Sequence, residues 1–470
     1  MKLHSIQLRH CYHFADLKLD FNYHHKPITL ILGDQGTGKT AIIKNIYQSL
    51  TWFSARAKDL RTAGVVMLDS DIMRSRMQSK IDVQVQFSPD IGHLEESANA
   101  QDKDVSMVSW QLYKTLNTSG IGHSKVETQQ LEHMVNLYLT AIQQDPMLGL
   151  PMIAYYPTDR FVNEMNLLSK NNPAIFQNHS AYELAAIPYT TFSRFFEWFR
   201  EVCDIENSQT AHLFQHILDN HQDHDSNQPS TTEVLNPEQE PPSFDLSQAI
   251  FQSRSQLHSP CLLALKSTLN KVFPELTDIY LEYLPKLQLL VNYQQQTIPF
   301  TQLNSTLRNW IALVGDVVRR LCLLNPNSLY PCLEGEGILL IDNVDAHLDA
   351  LNTQNILERL NQAFPHVQII VTGSNDDLLE YAEHYQCLRL ANKSIQEIKL
   401  NESGLKFNEI YQELVQSQQN NYLEPLEADE PIATSVQELF EQYQDLNDEQ
   451  QIELMKLIIG DDNIPSEKIQ

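Results

Sequence analysis

The stretch ITLILGDQGTGKTAIIKNI, residues 28–46, decides the fold. ITLIL (28–32) is a continuous apolar run, as expected of a strand buried on both faces. Beyond the glycines, Ile42, Ile43, Ile46, Leu50 and Phe53 recur at helical spacing. Strand, glycine loop, helix is the order a phosphate loop requires. GDQGTGKT (33–40) also fits G-x-x-x-x-G-K-S/T, which makes Gly33, Asp34, Gln35, Gly36, Thr37, Gly38, Lys39, Thr40 and the following Ala41 the predicted nucleotide contacts. The glycines let backbone N–H groups wrap the phosphates, Lys39 reaches the β and γ oxygens, and the Thr40 hydroxyl is offered to Mg²⁺. ATP and Mg²⁺ are the cofactors this pattern predicts.

Upstream, Ile6 and Leu8, then Leu17, Leu19 and Phe21, alternate as a half-buried antiparallel hairpin does. Far downstream an α/β rhythm returns: LRNWIALVGDVVRRLCLL (307–324) as a helix, GILLID (337–342) as a strand, NTQNILERLNQAF (352–364) as a helix and HVQIIVTGS (366–374) as a strand. Helices alternating with continuous apolar strands predict a parallel sheet covered on both faces. A phosphate loop needs a carboxylate at the end of a neighbouring strand to hold Mg²⁺ through water, and Asp342 is the candidate. Its distance from the loop predicts a head whose two halves are split by an insertion.

The pattern divides the chain into an amino-terminal half of the head (1–95), a mainly helical insertion (96–297), a carboxy-terminal half (298–400) and an acidic helical tail (401–470). Within the insertion, residues 220–243 are polar and almost free of apolar side chains, so they read as a disordered loop. His221 and His224 lie there beside Asp219, Asp223 and Asp225 and without cysteines, and a polar solvated segment is the plainer reading than a metal site. Trp198 and its Phe neighbours recur at helical spacing, as core residues do. The net charge of −27 argues against a protein coated in positive charge for nucleic acid. Residues 1–90 nevertheless hold 12 Lys and Arg against 8 Asp and Glu, so a local basic face (Arg56, Lys58, Arg61, Arg74, Arg76, Lys80) stays open beside the plainer reading of a solvated surface. Six scattered cysteines without a C-x-x-C pair, no signal-peptide pattern and no apolar run of about 18 residues predict a cytoplasmic protein that does not span a membrane.

Taken together, several segments resemble the RecF/SMC-like branch of the ABC-type ATPases, and within it the predicted ATP-binding proteins that include the PtuA ATPases of Septu and retron anti-phage systems. The carrying segments are LILGDQGTGKTAIIKNI (30–46), PMIAYYPTDR (151–160), FFEWFREVCDIEN (195–207), IPFTQLNSTLRNWIALVGDVVRRLCLLNP (298–326), GILLIDNVDAHLD (337–349) and FPHVQIIVTGS (364–374). The resemblance spans roughly residues 1–395 and leaves the tail uncovered. It implies an α/β ABC-type P-loop head with antiparallel amino-terminal edge strands, and a homodimer that closes on ATP.

The departures from that family are as informative. After the Mg²⁺ aspartate the family has a Glu that polarises the attacking water; this chain has Asn343. An amide cannot accept the proton, and losing such a base costs about 10²–10⁴ in rate. The family's signature Ser and Gly fall in Leu303, Asn304, Ser305, Thr306, where the glycine is missing, and its switch histidine corresponds to Ser374. His347 keeps the place of another family histidine. The implied protein binds ATP, hydrolyses it weakly or not at all, and gates a separate nuclease-like effector in defence or DNA surveillance, with DNA contact left open. The alternative is a working ATPase that couples hydrolysis to DNA engagement, through a group such as Asp345 if that residue is not simply a turn cap. A nuclease within this chain is not supported, because no Glu plus D-x-D arrangement follows the last predicted head strand.

Overall fold

The computed structural model describes residues 1–92, 106–117, 120, 122–162, 178–182, 188–226, 260–346, 348–391 and 393–398. Residues 1–400 form one compact unit, and the second unit, 401–470, lies outside the described residues together with the expected helical tail.

The central sheet runs β14-β13-β3-β12-β11-β7. Its strands are β3 (Ile28–Leu32), β7 (Met152–Tyr156), β11 (Gly337–Ile341), β12 (Val367–Gly373), β13 (Tyr385–Ala391) and β14 (Ser394–Glu397). All pair in parallel except β14, which closes the edge antiparallel to β13. Strands β3, β7, β11 and β12 are buried at every residue, as their unbroken apolar runs predict. Strand β12 lies between β3 and β11, so the strand ending at Asp342 is next but one to the phosphate-loop strand, not its immediate neighbour.

The amino-terminal hairpin, β1 (Lys2–Cys11) with β2 (Phe14–Asp20), pairs antiparallel as its alternation predicts. It belongs to a larger five-stranded sheet, β2-β1-β4-β5-β6, with β4 at Gln78–Phe87, β5 at Ser106–Leu116 and β6 at Gly122–Glu127. The region 96–297, expected to be mainly helical, holds strands as well. Besides helices it supplies β5 and β6, the central strand β7, and a small sheet of β8 (Leu276–Glu282), β9 (Gln288–Tyr293) and β10 (Gln296–Pro299). The expected loop over 220–243 is corrected at its start, since a long helix, Pro188–Ser226, runs through residue 226; the remainder lies outside the described residues.

Among the described residues six helices of more than one turn pack on these sheets: α1 (Lys39–Lys58), α2 (Gln129–Gln144), α3 (Pro188–Ser226), α4 (Pro260–Val272), α5 (Ser305–Leu324) and α6 (Ala350–Ala363). Trp198, Phe195 and Phe199 of α3 are core residues, and at Gly315 of α5 an added Cβ would lie 2.3 Å from Phe195. Two of the six candidate basic residues have local partners, whereas Lys58, Arg61, Arg74 and Arg76 are exposed. Arg56 pairs with Glu132 at 3.3 Å and covers Trp52, and Lys80 pairs with Asp82 at 2.8 Å. Among the described residues no helix is long and apolar enough to cross a membrane.

Helix α5 is buried from Trp310 to Leu324, charged residues included. Asp316 takes Arg319 Nε at 2.8 Å, Arg320 Nε at 2.7 Å and the Tyr156 hydroxyl at 2.8 Å. Burial pushes the Asp316 carboxyl up, but the Arg320 and Arg319 guanidiniums outweigh it and hold it below its ordinary value. Asp316→Ala leaves two guanidiniums in the core without a carboxylate and is expected to cost about 3–5 kcal/mol, read in urea unfolding at neutral pH. The native contribution of this carboxylate is present above its unfolded value near 3.9 and is lost as pH falls through the lowered folded value, so the variant also loses that acid dependence. A loss below about 1 kcal/mol, the range of exposed pairs, would contradict this assignment.

Candidate functional site

The loop between β3 and α1 is shaped by its glycines. A Cβ on Gly33 would lie 2.7 Å from the Leu390 carbonyl oxygen of β13. Gly38 has φ +105° and caps α1, and a Cβ there would lie 2.4 Å from His13 Cε1 and 2.8 Å from Phe14 Cζ. Only glycine meets both demands. No side chain caps α1 and its first turn carries no acid, so its leading N–H groups and positive dipole end face the loop's concavity, an arrangement that suits anions. Thr37 Oγ1 donates to the Asp34 carbonyl at 2.8 Å and tightens the turn.

Lys39 Nζ reaches over this loop, donating to the Asp34 carbonyl at 2.9 Å and to that of Gly33. Burial lowers its pKa against the opposing pull of Asp345, Asp342 and Asp34. A cavity of about 380 Å³ opens here, walled by Gly36, Thr37, Gly38, Lys39, Thr40 and Ala41, with Tyr12 and Lys44 beside them. Asp34 and Gln35 are exposed on the loop's crest. The sequence reading missed Tyr12, His13 and Lys44. Lys44 carried a signal, since it follows Thr40 at i+4 on α1. Tyr12 and His13 carried none: they form the tip of the β1–β2 hairpin, with His13 Nε2 at 2.9 Å from the Thr37 carbonyl and the Tyr12 hydroxyl donating to Asp71 Oδ1 at 2.7 Å.

Asp342 directly follows β11 and is 1% exposed. Both carboxylate oxygens are held by hydroxyls: Thr372 Oγ1 donates to Oδ1 at 2.6 Å and Thr158 Oγ1 to Oδ2 at 2.9 Å. Thr372 Oγ1 in turn accepts from the Asn343 backbone N–H at 2.8 Å. Asn343 has φ +52°, a left-handed conformation that asparagine tolerates better than most residues. Its carbonyl accepts from Arg160 Nη2 at 2.8 Å, while Arg160 Nη1 donates to the Asp342 carbonyl at 2.6 Å. Arg160 is thus a buried residue bound to this strand end. Burial brings its pKa down to about 10, which leaves it charged at neutral pH.

Asp345 does act as a turn cap: Oδ2 accepts from the N–H groups of Ser374 at 3.0 Å and Asn375 at 2.8 Å, and from Ser374 Oγ at 3.3 Å. Its Oδ1 is buried without a hydrogen-bond partner. The three signature positions lead into α5. Asn304 is the N-cap, accepting from the Leu307 N–H at 2.7 Å, and Ser305 and Thr306 begin the helix. Asn304 and Ser305 are exposed. His347 lies outside the described residues.

The residues present fit a magnesium nucleotide. The donors are hard oxygens, from Thr40 and Asp342, and the glycine cradle is one that a Cβ at Gly38 would fill.

Residues 5–256 match the family model described as AAA domain, AAA_23. The chain is 26% identical over 397 residues to the Retron Ec83 probable ATPase of Escherichia coli, across 79% of this chain and 68% of that protein. It is 22% identical over 385 residues to the Retron Vc95 probable ATPase of Vibrio cholerae serotype O1 biovar El Tor, across 79% and 70%. Among solved structures, the Smc head domain with an extended coiled coil, bound to the C-terminal domain of ScpA derived from Pyrococcus furiosus, superposes with a TM-score of 0.42 at 12% identity, across 87% of this chain and 99% of that one.

The left-handed backbone at residue 343 yields a stability test. Asn343→Glu is expected to cost about 1 kcal/mol because a longer side chain is less at home there, whereas Asn343→Gly is expected to be neutral or slightly stabilising. Urea unfolding of the two variants checks this, and the opposite order would contradict it.

Proposed function

Because the chain belongs to the AAA domain family, we propose that it is an ATP-binding subunit that closes as a homodimer on Mg-ATP and hydrolyses it slowly or not at all. The observation that carries this reading is an asymmetry within one site. The phosphate cradle is complete, from the left-handed Gly38 and the uncapped start of α1 to Lys39 and the doubly held Asp342. The residue after Asp342, however, is an amide with no basic oxygen for a water proton.

In this reading the first-turn N–H groups of α1 and Lys39 bind the phosphates, and Lys44 and Tyr12 border them. Thr40 and Asp342 would hold Mg²⁺, which neutralises charge on the β and γ oxygens. Asn304, Ser305 and Thr306, at the start of α5, would face the nucleotide of the other subunit. Their capping arrangement presents helix N–H groups, although the signature glycine is gone. Ser374, held by Asp345, fills the switch position without a titratable ring. The retron names of the two relatives support a place beside a retron. In this reading the chain acts in the cytoplasm, in bacterial defence or DNA surveillance, with a separate, nuclease-like effector as its partner and DNA contact left open.

A second reading, an ATPase that turns over to engage DNA, rests on one observation. Asp345 Oδ1 is a buried carboxylate oxygen without a partner, and such an oxygen is able to accept from water.

Calorimetry tests the first reading. The unaltered chain is expected to bind Mg-ATP, Lys39→Ala to lose that binding, and light scattering to show a dimer favoured by Mg-ATP. Absence of heat with the unaltered chain would remove the nucleotide assignment. A strict monomer at saturating ATP would remove the clamp.

A further inference from the structure

The segment YYPTDR (155–160) is a motif to which the nucleotide reading gives no task. Tyr155 and Tyr156 end β7, and the Asp342 N–H donates to the Tyr156 carbonyl at 2.9 Å, so the turn that follows runs alongside Asp342 and Asn343. The Arg160 N–H closes that turn on the Thr158 carbonyl at 3.0 Å. Two side chains then cross to the neighbouring strand end. Thr158 takes one carboxylate oxygen of Asp342, and Arg160 takes the two successive carbonyls of Asp342 and Asn343.

The other face of Arg160 is equally specific. Its guanidinium lies 5.7 Å from the ring centroid of Trp310 in α5, and the next residue but one, Val162, donates its N–H to Asn309 Oδ1 at 2.9 Å. Trp310 and Asn309 lie on the first turns of the helix that begins at the signature positions 304–306. A guanidinium with forked donors suits two carbonyls and an aromatic face at once, whereas a lysine ammonium offers a point charge. Its bonds are all to backbone carbonyls, of Pro157, Asp342 and Asn343, so its effect falls on the placement of the strand end.

We propose that the turn Pro157–Arg160 is a latch that positions the Mg²⁺-binding aspartate and ties that position to α5, through Thr158 on the carboxylate and Arg160 between the strand end and Trp310. Thr158 and Arg160 are positioning residues, and they touch no nucleotide in this scheme. Thr158 and Thr372 orient the Asp342 carboxylate from opposite oxygens, which fixes the lone pairs left for metal-bound water. Arg160 keeps Asn343 in its left-handed turn. Because the same guanidinium rests on Trp310, occupation of the Asp342 site is sensed at the helix whose start faces the other subunit. By linkage, contacts made at α5 feed back equally on Mg²⁺ affinity.

The inference rests on the Mg-ATP reading, and the test separates the two. ATP affinity of the full chain is measured with Mg²⁺ and with EDTA for the unaltered protein, Thr158→Val and Arg160→Lys, and tryptophan emission is followed in the same titrations. Thr158→Val is nearly isosteric, which guards against a folding defect. Orienting partners of a metal ligand are commonly worth about 10- to 100-fold in metal affinity, so each variant is expected to lose about tenfold or more of the gain that Mg²⁺ gives to ATP binding. Affinity in EDTA should stay within about twofold, since the phosphate loop is not touched by the latch. Mg-ATP should change tryptophan emission in the unaltered chain. That change should vanish in Trp310→Phe and shrink in Arg160→Lys. An undiminished Mg²⁺ gain in both variants, or equal losses with Mg²⁺ and with EDTA, would overturn the latch while leaving the nucleotide reading standing. Failure of the unaltered chain to bind ATP would overturn the nucleotide reading and the latch with it.

Discussion

A parallel sheet brings its functional ends together only if its strands are in register. Here the strands that must agree come from three distant parts of the chain. Strand β3 delivers the phosphate loop, β12 delivers Thr372, β11 delivers Asp342 and β7 delivers Thr158 and Arg160, all at their carboxy-terminal ends. The pairing Gly373↔Leu32, Ile341↔Val371 and Ile341↔Tyr156 sets these ends level. A slip of one residue in β11 would turn its side chains to the opposite faces and carry Asp342 away from both hydroxyls. The full burial of β3, β7, β11 and β12 resists that slip, because no apolar residue can move to solvent or a polar one to the core without cost.

Around that register the polar groups are tied in pairs. Thr372 serves the Asp342 carboxylate and the Asn343 N–H together, and Asp345 gathers the N–H groups of Ser374 and Asn375. Such connected groups rigidify a site more than their separate strengths suggest. Helix α5 extends this order outward. Its Asp316 holds Tyr156 from β7, its Arg320 holds the carbonyl of Ala181, and its Trp310 carries Arg160. Helix α5 is thus tied to β7 and to the turn after it, whose Thr158 and Arg160 hold Asp342.

What could be read from the sequence was what local pattern encodes. GDQGTGKT, the unbroken apolar strands and the aspartate ending GILLID needed no tertiary knowledge, and the FFEWF cluster declared itself as core by spacing alone. The contacts that escaped depend on chain crossings. Tyr12 and His13 reach the loop only because a hairpin folds over it, and Thr158 meets Asp342 across 184 residues of chain. Strand β5 alternates as β1 and β2 do, with Val108, Trp110 and Leu112 buried, and that signal was passed over, whereas β6 buries no residue and has no apolar pattern to read. Asn343 was legible as an amide after the aspartate but not as a left-handed turn, whose N–H donates to Thr372 and whose carbonyl accepts from Arg160.

In an ATPase that turns over, a tightly held γ-phosphate is a brief state. On the proposed reading, an amide at position 343 and no histidine at 374 would make that state long-lived, and a subunit that stayed closed on ATP would suit a holding role better than a cycling one. The chemical identity of the bound nucleotide tests this most directly. The chain is loaded with Mg-ATP, freed of unbound nucleotide, held for several minutes at 25 °C and quenched in acid, and the released nucleotide is identified by chromatography. ATP recovered intact is the predicted result; recovery as ADP would contradict the account.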